Sequence, residues 1–206
     1  MSSALDPHII FGNAIVEHIE LARKIQDQQP VLGAIAAAMA EAIRSGGKVL
    51  WCGNGGSAAD SQHLAAELVG RFRRERRGLA SLALTTNTSI LTAVGNDYGF
   101  EHVFSRQVES LANPGDVLVG VSTSGNSQNV VNALQAARSR QIISVAFTGE
   151  GGGQMGKIAE FLFEVPSVDT ARIQEMHILA GHMICDWIEL DFSTTQQSPV
   201  VSKAEL

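Results

Sequence analysis

The chain has 206 residues, of which 45% are hydrophobic and 17% charged, and its formal net charge is −6. This composition excludes a disordered acidic chain, which would lack the apolar surface needed for a core, and the length predicts one domain. The acidic balance argues against a general binder of nucleic acid or of anionic membranes. Only 5% of residues are aromatic while 20 are glycine, so we expect a core of Ala, Val, Ile and Leu.

The ends of the sequence and its cysteines predict a cytoplasmic protein without a membrane partner. Residues 1–6 lack the basic and apolar segments of a signal peptide, and no window of about 18 apolar residues occurs. Cys52 and Cys185 each lie in an apolar run, which predicts buried, reduced thiols.

Hydrophobic patterning predicts two helices, at 9–27 and from Pro30 to about Ile43, followed by alternating strands and helices. The predicted strands are 48–52, 80–84, 116–121, 142–147 and 161–165, and the predicted later helices are 58–71, 90–94, 101–112, 128–139 and 170–190. We therefore expect a single domain over 1–206, with its core at about 10–192 and a polar, disordered tail at 193–206.

The alternation of strand, loop and helix is typical of an α/β fold. The strands are apolar without polar alternation, as in a parallel sheet that is buried on both faces. We predict a three-layer, doubly wound domain with a five-stranded parallel sheet and N-terminal helices. Because ligands in such folds bind beyond the carboxyl ends of the strands, the loops 53–57, 85–88 and 122–127 are the candidate binding loops.

The first loop, Gly53-Asn54-Gly55-Gly56-Ser57, joins a predicted strand to a helix. Its backbone N–H groups could approach an anion at the helix N-terminus, although a tight turn capped by Ser57 explains the same residues. The loop matches neither a Rossmann fingerprint nor a P-loop, since the second strand ends without an acidic residue and no Gly-Lys-Ser/Thr follows.

The loop 122–127 carries four hydroxyls, those of Ser122, Thr123, Ser124 and Ser127, at a strand end and a helix start. A helix cap requires only one hydroxyl, whereas phosphate oxygens bind several short donors together with helix N–H groups. The loop therefore favours a phosphate site and a phosphorylated small molecule as the ligand.

Metal-capable side chains occur on two predicted helices. His63 and Glu67 are four residues apart and share a face, but spacing alone favours an ordinary exposed or satisfied pair. Gln174 and His182 return to nearly one side of the last helix, about 12 Å apart along its axis. They could reach one ion only if the Gln174 side chain leans along the helix.

Two other charged features have ordinary explanations. Asp97, in Gly95-Asn96-Asp97, follows an apolar helix where a helix-ending turn is expected. The segment from Arg71 to Arg77 contains five arginines and ends a predicted helix, where cations complement the helix dipole. We expect a solvated or inter-subunit segment there, with Arg71 close to a neighbouring subunit's site.

Six motifs stand in order along the chain: GNGGSAADSQH at 53–63, AEL at 66–68, GND at 95–97, STSGNS at 122–127, RIQE at 172–175, and His182. This set resembles the sugar isomerase (SIS) domain family and, within it, the phosphoheptose isomerases, over about residues 10–192. Some members of that family carry Asp at the position of Ala171.

The resemblance implies one zinc ion per subunit, and as its ligands it implies His63, Glu67, Gln174 and His182. The substrate-binding residues that it implies are Asn54, Gly55, Gly56, Ser57, Glu67, Asn96, Asp97, Ser122, Thr123, Ser124, Ser127 and Gln174. It also implies a homotetramer with sites between subunits. The implied reaction converts sedoheptulose 7-phosphate to D-glycero-D-manno-heptose 7-phosphate, the first step toward activated heptose for bacterial surface glycans.

Isomerisation through an enediol needs an acid and a base, and our hypothesis assigns these roles to Glu67 and His182, with Asp97 assisting ring opening or hydroxyl positioning. A related SIS protein that binds the replication initiator DnaA departs from the isomerase pattern at the positions of Glu67 and His182. Because this chain keeps both residues, an enzyme is favoured over a non-catalytic binder. An isomerase of another phosphosugar is a further alternative.

Overall fold

The structure is a computed structural model that describes residues 6–195, with side chains to residue 193. Its helices are α1 (Pro7–Lys24), α2 (Gln29–Arg44), α3 (Gly56–Val69), α4 (Thr88–Tyr98), α5 (Ser105–Leu111), α6 (Gln128–Ser139) and α7 (Thr170–Thr195). Its strands are β1 (Val49–Gly53), β2 (Ser81–Ala83), β3 (Val117–Ser122), β4 (Ile143–Thr148) and β5 (Phe161–Glu164). Short 3₁₀ turns occur at Ile25–Gln28, Phe100–His102 and Met155–Lys157.

The five strands form one parallel sheet in the order β2-β1-β3-β4-β5, which confirms the predicted fold class. β1 lies between β2 and β3, with Gly53 opposite Val121. The connections from β1 to β2 and from β2 to β3 therefore leave in opposite directions along the sheet. The sheet order therefore changes direction between β1 and β3, and ligands in such folds bind at this switch point. The carboxyl ends of β1 and β3 lie side by side there, and the loops 53–57 and 122–127 follow them.

Alternate residues of each strand pack into separate cores on the two faces of the sheet. In β1, Val49 and Trp51 join the core made with α2, α3 and α7, while Leu50 and Cys52 join the core made with α5 and α6. All four side chains are fully buried, as expected for a sheet covered on both faces. Cys52 and Cys185 are free and buried, as predicted, and burial raises the pKa of each thiol to about 12.

Glycines move several helix boundaries away from the predicted positions. α3 begins two residues earlier than expected, because Gly55 turns the chain with a φ of +55° at its N-cap, so Ser57 lies inside the first turn instead of capping it. Gly99, at a φ of +94°, ends α4. In place of the predicted helix 101–112 the chain forms a 3₁₀ turn and the shorter α5.

The prediction of a disordered tail from residue 193 is wrong for residues 193–195, which continue α7. Phe192, near this end of the helix, packs into the α2–α3–α7 core, and this burial carries the helix beyond the last predicted residue. The rest of the predicted tail, 196–206, lies outside the described residues.

α1 presents an apolar face that the single chain leaves uncovered. Asp6 caps the helix by accepting a hydrogen bond from the His8 N–H (2.9 Å), and Leu21 is the one buried side chain of α1. Large apolar side chains are exposed along most of its length, at Ile9, Ile10, Phe11, Ile15, Val16 and Ile19. Between residues 6 and 195, no helix combines the length and apolar character needed to cross a membrane.

Candidate active site

α3 and α7 pack side by side, and two close approaches fix their register. A Cβ on Gly181 would lie 2.5 Å from the Leu64 side chain, and one on Gly56 would lie 2.5 Å from Nε2 of Gln174. Glycine at these positions thus allows close contact between the helices. Both helices begin at the carboxyl edge of the sheet, so residues of similar depth meet, and His182 lies beside His63.

His63, Glu67 and His182 form a compact cluster, which we call the triad. Their nearest ligand atoms all lie within 4.8 Å of one another, and this is the one group of three or more His, Cys, Asp or Glu residues with metal-binding spacing in the described part of the chain. The two Nε2 atoms are 2.9 Å apart, and His63 Nε2 is 3.2 Å from Glu67 Oε1. His63 and Glu67 thus form the partly exposed helical pair that their spacing predicts, and His182 lies beside them.

The surroundings of the triad favour neutral imidazole at His182. Burial lowers the pKa of His182, and the nearby His63 lowers it further, which outweighs the opposing effect of Glu67. Asp60, one turn before His63, has its pKa raised by burial, against the opposing charge of His63. A neutral His182 can donate a nitrogen lone pair to a metal or accept a proton.

Phe72 also belongs to this site, and the sequence analysis did not identify it. Its ring stacks on the imidazole of His182, with centroids 5.2 Å apart and an interplanar angle of 22°. The residue lies inside the arginine-rich segment, where its neighbours gave no sign of a contact with a helix 110 residues later in the chain.

The loop 122–127, which we call the serine loop, folds so that three of its four hydroxyls converge. Ser122 Oγ lies 2.9 Å from Ser127 Oγ and 3.4 Å from Ser124 Oγ. Ser127 precedes α6 without capping it through its side chain, so its hydroxyl does not satisfy the N–H groups of the first turn. These donors can bind an anion at the helix N-terminus.

Gly125 makes the shape of the serine loop possible. Its φ is +64°, and a Cβ there would lie 2.3 Å from the carbonyl oxygen of Gly152. The following segment supports the loop, since Met155 N–H donates to Gly125 O (3.0 Å) and Gln154 N–H donates to Asn126 Oδ1 (3.0 Å). The hydroxyls are therefore presented by a loop that is fixed from behind.

Comparison with known proteins assigns the family of this fold and site. The SIS domain profile matches residues 15–149. The chain is 54% identical to the phosphoheptose isomerase of Rhodospirillum rubrum over 81% of this chain and 88% of that protein. It is 50% identical to that of Helicobacter hepaticus over 90% and 94%. The chain belongs to the phosphoheptose isomerase family. A solved phosphoheptose isomerase from Neisseria gonorrhoeae superposes with a TM-score of 0.85 at 45% identity, covering 90% of this chain and all of that one.

The loop 53–57 is joined to α6 by a pair of amides. Asn54 Nδ2 donates to Asn129 Oδ1 (2.9 Å), and Asn129 Nδ2 donates to Asn54 Oδ1 (2.8 Å). The predicted substrate contact of Asn54 would therefore come from its backbone or require this pair to open. Gly55 and Gly56 are exposed at the start of α3, whereas Ser57 is buried.

Two predicted groups are not part of the triad. Asn96 and Asp97 are exposed on the last turn of α4, not just beyond a helix, and Asn96 Nδ2 donates to Asp97 Oδ1 (2.8 Å). Gln174 lies against Gly56, about 12 Å along α7 from His182. Within the single chain, therefore, only three of the four predicted zinc ligands are brought together.

The arginine-rich segment is more buried than predicted. Arg73 and Arg74 both pair with Asp186 of α7, at 3.2 and 2.6 Å, and the side chain of Arg76 is fully buried. Arg71 instead forms an ion pair within the segment, with the exposed Glu75 four residues later. Of the two expectations, a solvated or an inter-subunit segment, the first is therefore wrong at Arg76, whose side chain packs within the single chain.

Proposed function

We propose that this phosphoheptose isomerase interconverts sedoheptulose 7-phosphate and D-glycero-D-manno-heptose 7-phosphate at the triad. The observation that carries the proposal is the meeting of His63 and His182, 119 residues apart in the chain, with Glu67 in the same cluster. Two imidazoles and a carboxylate can hold a metal and exchange protons. The family membership and the serine loop support a phosphorylated sugar as the substrate.

The reaction moves hydrogen between C1 and C2 of the sugar. A base removes a proton from C1 while an acid protonates the C2 oxygen, which gives an enediol; return of a proton to C2 and loss of one from the C1 oxygen gives the aldose. Glu67 and His182 supply these proton transfers in our proposal. Without bound metal, the lowered pKa of His182 keeps its imidazole neutral at neutral pH, so that its lone pair can bind a metal or accept a proton.

The triad fits zinc. Ligand atoms bound to a tetrahedral zinc at about 2.0–2.1 Å lie about 3.4 Å from one another, and the separations of 2.9 and 3.2 Å in the triad are close to this value. His63, Glu67 and His182 would hold one ion per subunit, and Gln174 would complete the set if its side chain left Gly56. When bound, zinc supplies positive charge that polarises a carbonyl oxygen.

The serine loop would hold the phosphate at the other end of the substrate. Ser122, Thr123, Ser124 and Ser127 offer hydroxyl donors without a positive side chain, and the N-terminus of α6 adds N–H groups. Anchoring the phosphate restricts where C1 and C2 can lie, so the free energy of phosphate binding helps to orient the reacting carbons at the triad.

Exposed apolar surface supports a homotetramer with sites between subunits. The apolar face of α1 and the exposed Tyr98 and Phe100 near the end of α4 are surfaces that monomeric proteins usually cover. Tyr98 directly follows Asp97, so association through the end of α4 would bring a second subunit close to Asn96 and Asp97. Light scattering of the purified chain should give four times the monomer mass of 21.9 kDa.

The decisive experiment is incubation with sedoheptulose 7-phosphate followed by proton NMR of the sugar. We expect an aldose signal from the protein with zinc, no signal after dialysis against a strong chelator, and recovery when zinc is returned. Absence of product under all conditions would overturn the proposed reaction. Full activity after chelation would refute the proposed role of zinc, while the proposed isomerase reaction would stand.

A further inference from the structure

A buried carboxylate on α7 holds the segment that carries Phe72. Glu189 is fully buried, and its two oxygens accept hydrogen bonds from three consecutive backbone N–H groups: Phe72 at 2.9 Å, Arg73 at 2.6 Å and Arg74 at 2.8 Å. Burial alone would raise the pKa of Glu189, but these donors and the charge of Arg76 hold it below its ordinary value. The carboxylate thus fixes the backbone of residues 72–74.

The buried Arg76 joins this carboxylate to the end of α3. Its Nε lies 3.4 Å from Glu189 Oε1, and both side chains are inaccessible to solvent. Its two terminal nitrogens donate to the carbonyl oxygens of Glu67 (2.7 Å) and Gly70 (2.9 Å). The guanidinium therefore satisfies carbonyls at the C-terminal end of α3, those of Glu67 and of the capping residue Gly70, and Glu67 belongs to the triad.

The same segment covers one side of the triad. Glu189 lies seven residues after His182 on α7, which is about two helical turns, so the two side chains leave nearly the same face. By fixing the N–H of Phe72, Glu189 sets where the Phe72 ring lies against His182, at the 5.2 Å centroid separation described above. The His182 ring also meets His63 through its Nε2 edge, with ring centroids 5.2 Å apart and an interplanar angle of 67°.

We propose that Glu189, together with Arg76, is a positioning residue of the active site: it fixes residues 70–74 so that Phe72 holds the His182 imidazole with Nε2 directed at His63 and Glu67. Neither Glu189 nor Arg76 touches the substrate in this proposal. Removing an outer partner of a metal-binding histidine typically weakens metal affinity or activity about 10- to 100-fold. The effect on activity rests on the proposed function, whereas the effect on metal affinity can be measured without substrate.

The test compares Glu189→Gln and Phe72→Leu with a matched control, Asp186→Asn. Asp186 pairs with Arg73 and Arg74 of the same segment from the same helix, but it binds their guanidinium groups and leaves the backbone N–H groups to Glu189. For each variant the midpoint of thermal unfolding, the zinc affinity measured by competition with a chromophoric chelator, and kcat and KM for sedoheptulose 7-phosphate are determined.

We expect zinc affinity and kcat to fall about tenfold or more in Glu189→Gln and Phe72→Leu, with KM changed much less, because the phosphate contacts are untouched. Asp186→Asn should stay close to the unmodified chain. Folded Glu189→Gln with unchanged zinc affinity and kcat would overturn the proposal, as would an equal loss in Asp186→Asn. If Glu189→Gln does not fold, an unchanged zinc affinity and kcat in folded Phe72→Leu would overturn the proposal instead. If the unmodified chain neither binds zinc nor converts the sugar, the proposed function is overturned and this inference with it. If the unmodified chain does both, the comparison of each variant with it tests this inference alone.

Discussion

The triad and the serine loop are built in opposite ways. The serine loop is six consecutive residues between the end of β3 and the start of α6, and the hydroxyls of Ser122, Ser124 and Ser127 contact one another within it. The triad needs two helices that are far apart in the chain to pack in one register, because His63 and His182 are separated by 119 residues. A local site can be recognised from adjacent residues, whereas a site between helices depends on how those helices pack.

This difference also determines what can disturb each site. The register of α3 against α7 is set where Gly181 meets Leu64 and where Gly56 meets Gln174, so a change in packing between these helices would move His182 relative to His63. The serine loop depends instead on the positive φ of Gly125 and on support from Gln154 and Met155. Substitutions at the triad and in the serine loop should therefore affect catalysis and phosphate binding separately.

The largest expected effect is on proton transfer at the triad. Glu67→Gln and His182→Gln should each lower kcat at least about 100-fold, the lower end for the loss of a general acid or base, with the serine loop unaltered. Steady-state kinetics with sedoheptulose 7-phosphate measures this. Glu75→Gln, on the exposed partner of Arg71, serves as the control, and near-normal turnover in either triad variant would refute its assigned role.

A smaller effect is expected from acid pH on the free energy of unfolding, through His177, which joins α7 to the sheet edge near the serine loop. His177 is buried, and its Nε2 donates to the Thr148 carbonyl (3.1 Å); Gly149 in turn donates to the Thr123 carbonyl. Burial lowers the pKa of His177 to about 4, although the bond to Thr148 opposes the change. Since the unfolded chain binds this proton near pH 6.5, stability is fully present above that pH and is lost as the pH falls toward 4.

The loss from His177 should be about 2 kcal/mol between pH 7 and pH 5. Urea unfolding at both pH values measures the free energy of unfolding, and His177→Gln should show a pH dependence weaker by this amount. Comparison of the two chains cancels the contributions of the other titrating groups. Equal slopes for the two chains would contradict the prediction.

The smallest expected effect is on phosphate binding. Ser124→Ala removes one exposed hydroxyl donor, and the loss of such a hydrogen bond, about 1 kcal/mol, should raise KM about fivefold while kcat changes little. The control is Ser139→Ala, which removes an exposed hydroxyl at the far end of α6. An unchanged KM for Ser124→Ala would place the phosphate elsewhere.

The sequence predicted the features that depend on local pattern. The parallel sheet, the boundaries of α6 at 128–139 and the converging serine hydroxyls all follow from neighbouring residues. His63 and Glu67 were recognised as one helical face, but only the family resemblance joined them to His182. Phe72 and Glu189 could not be foreseen, because their contacts arise from the packing of α7 against a segment more than 100 residues earlier in the chain.

The reciprocal amide pair between Asn54 and Asn129 has a consequence for how the chain can evolve. Each side chain is both donor and acceptor for the other, and Asn129 is buried. Replacement of either one alone leaves a polar group of its partner without a hydrogen bond, which is costly at a buried position. We therefore expect two positions 75 residues apart to be inherited as one unit, substituted together or not at all.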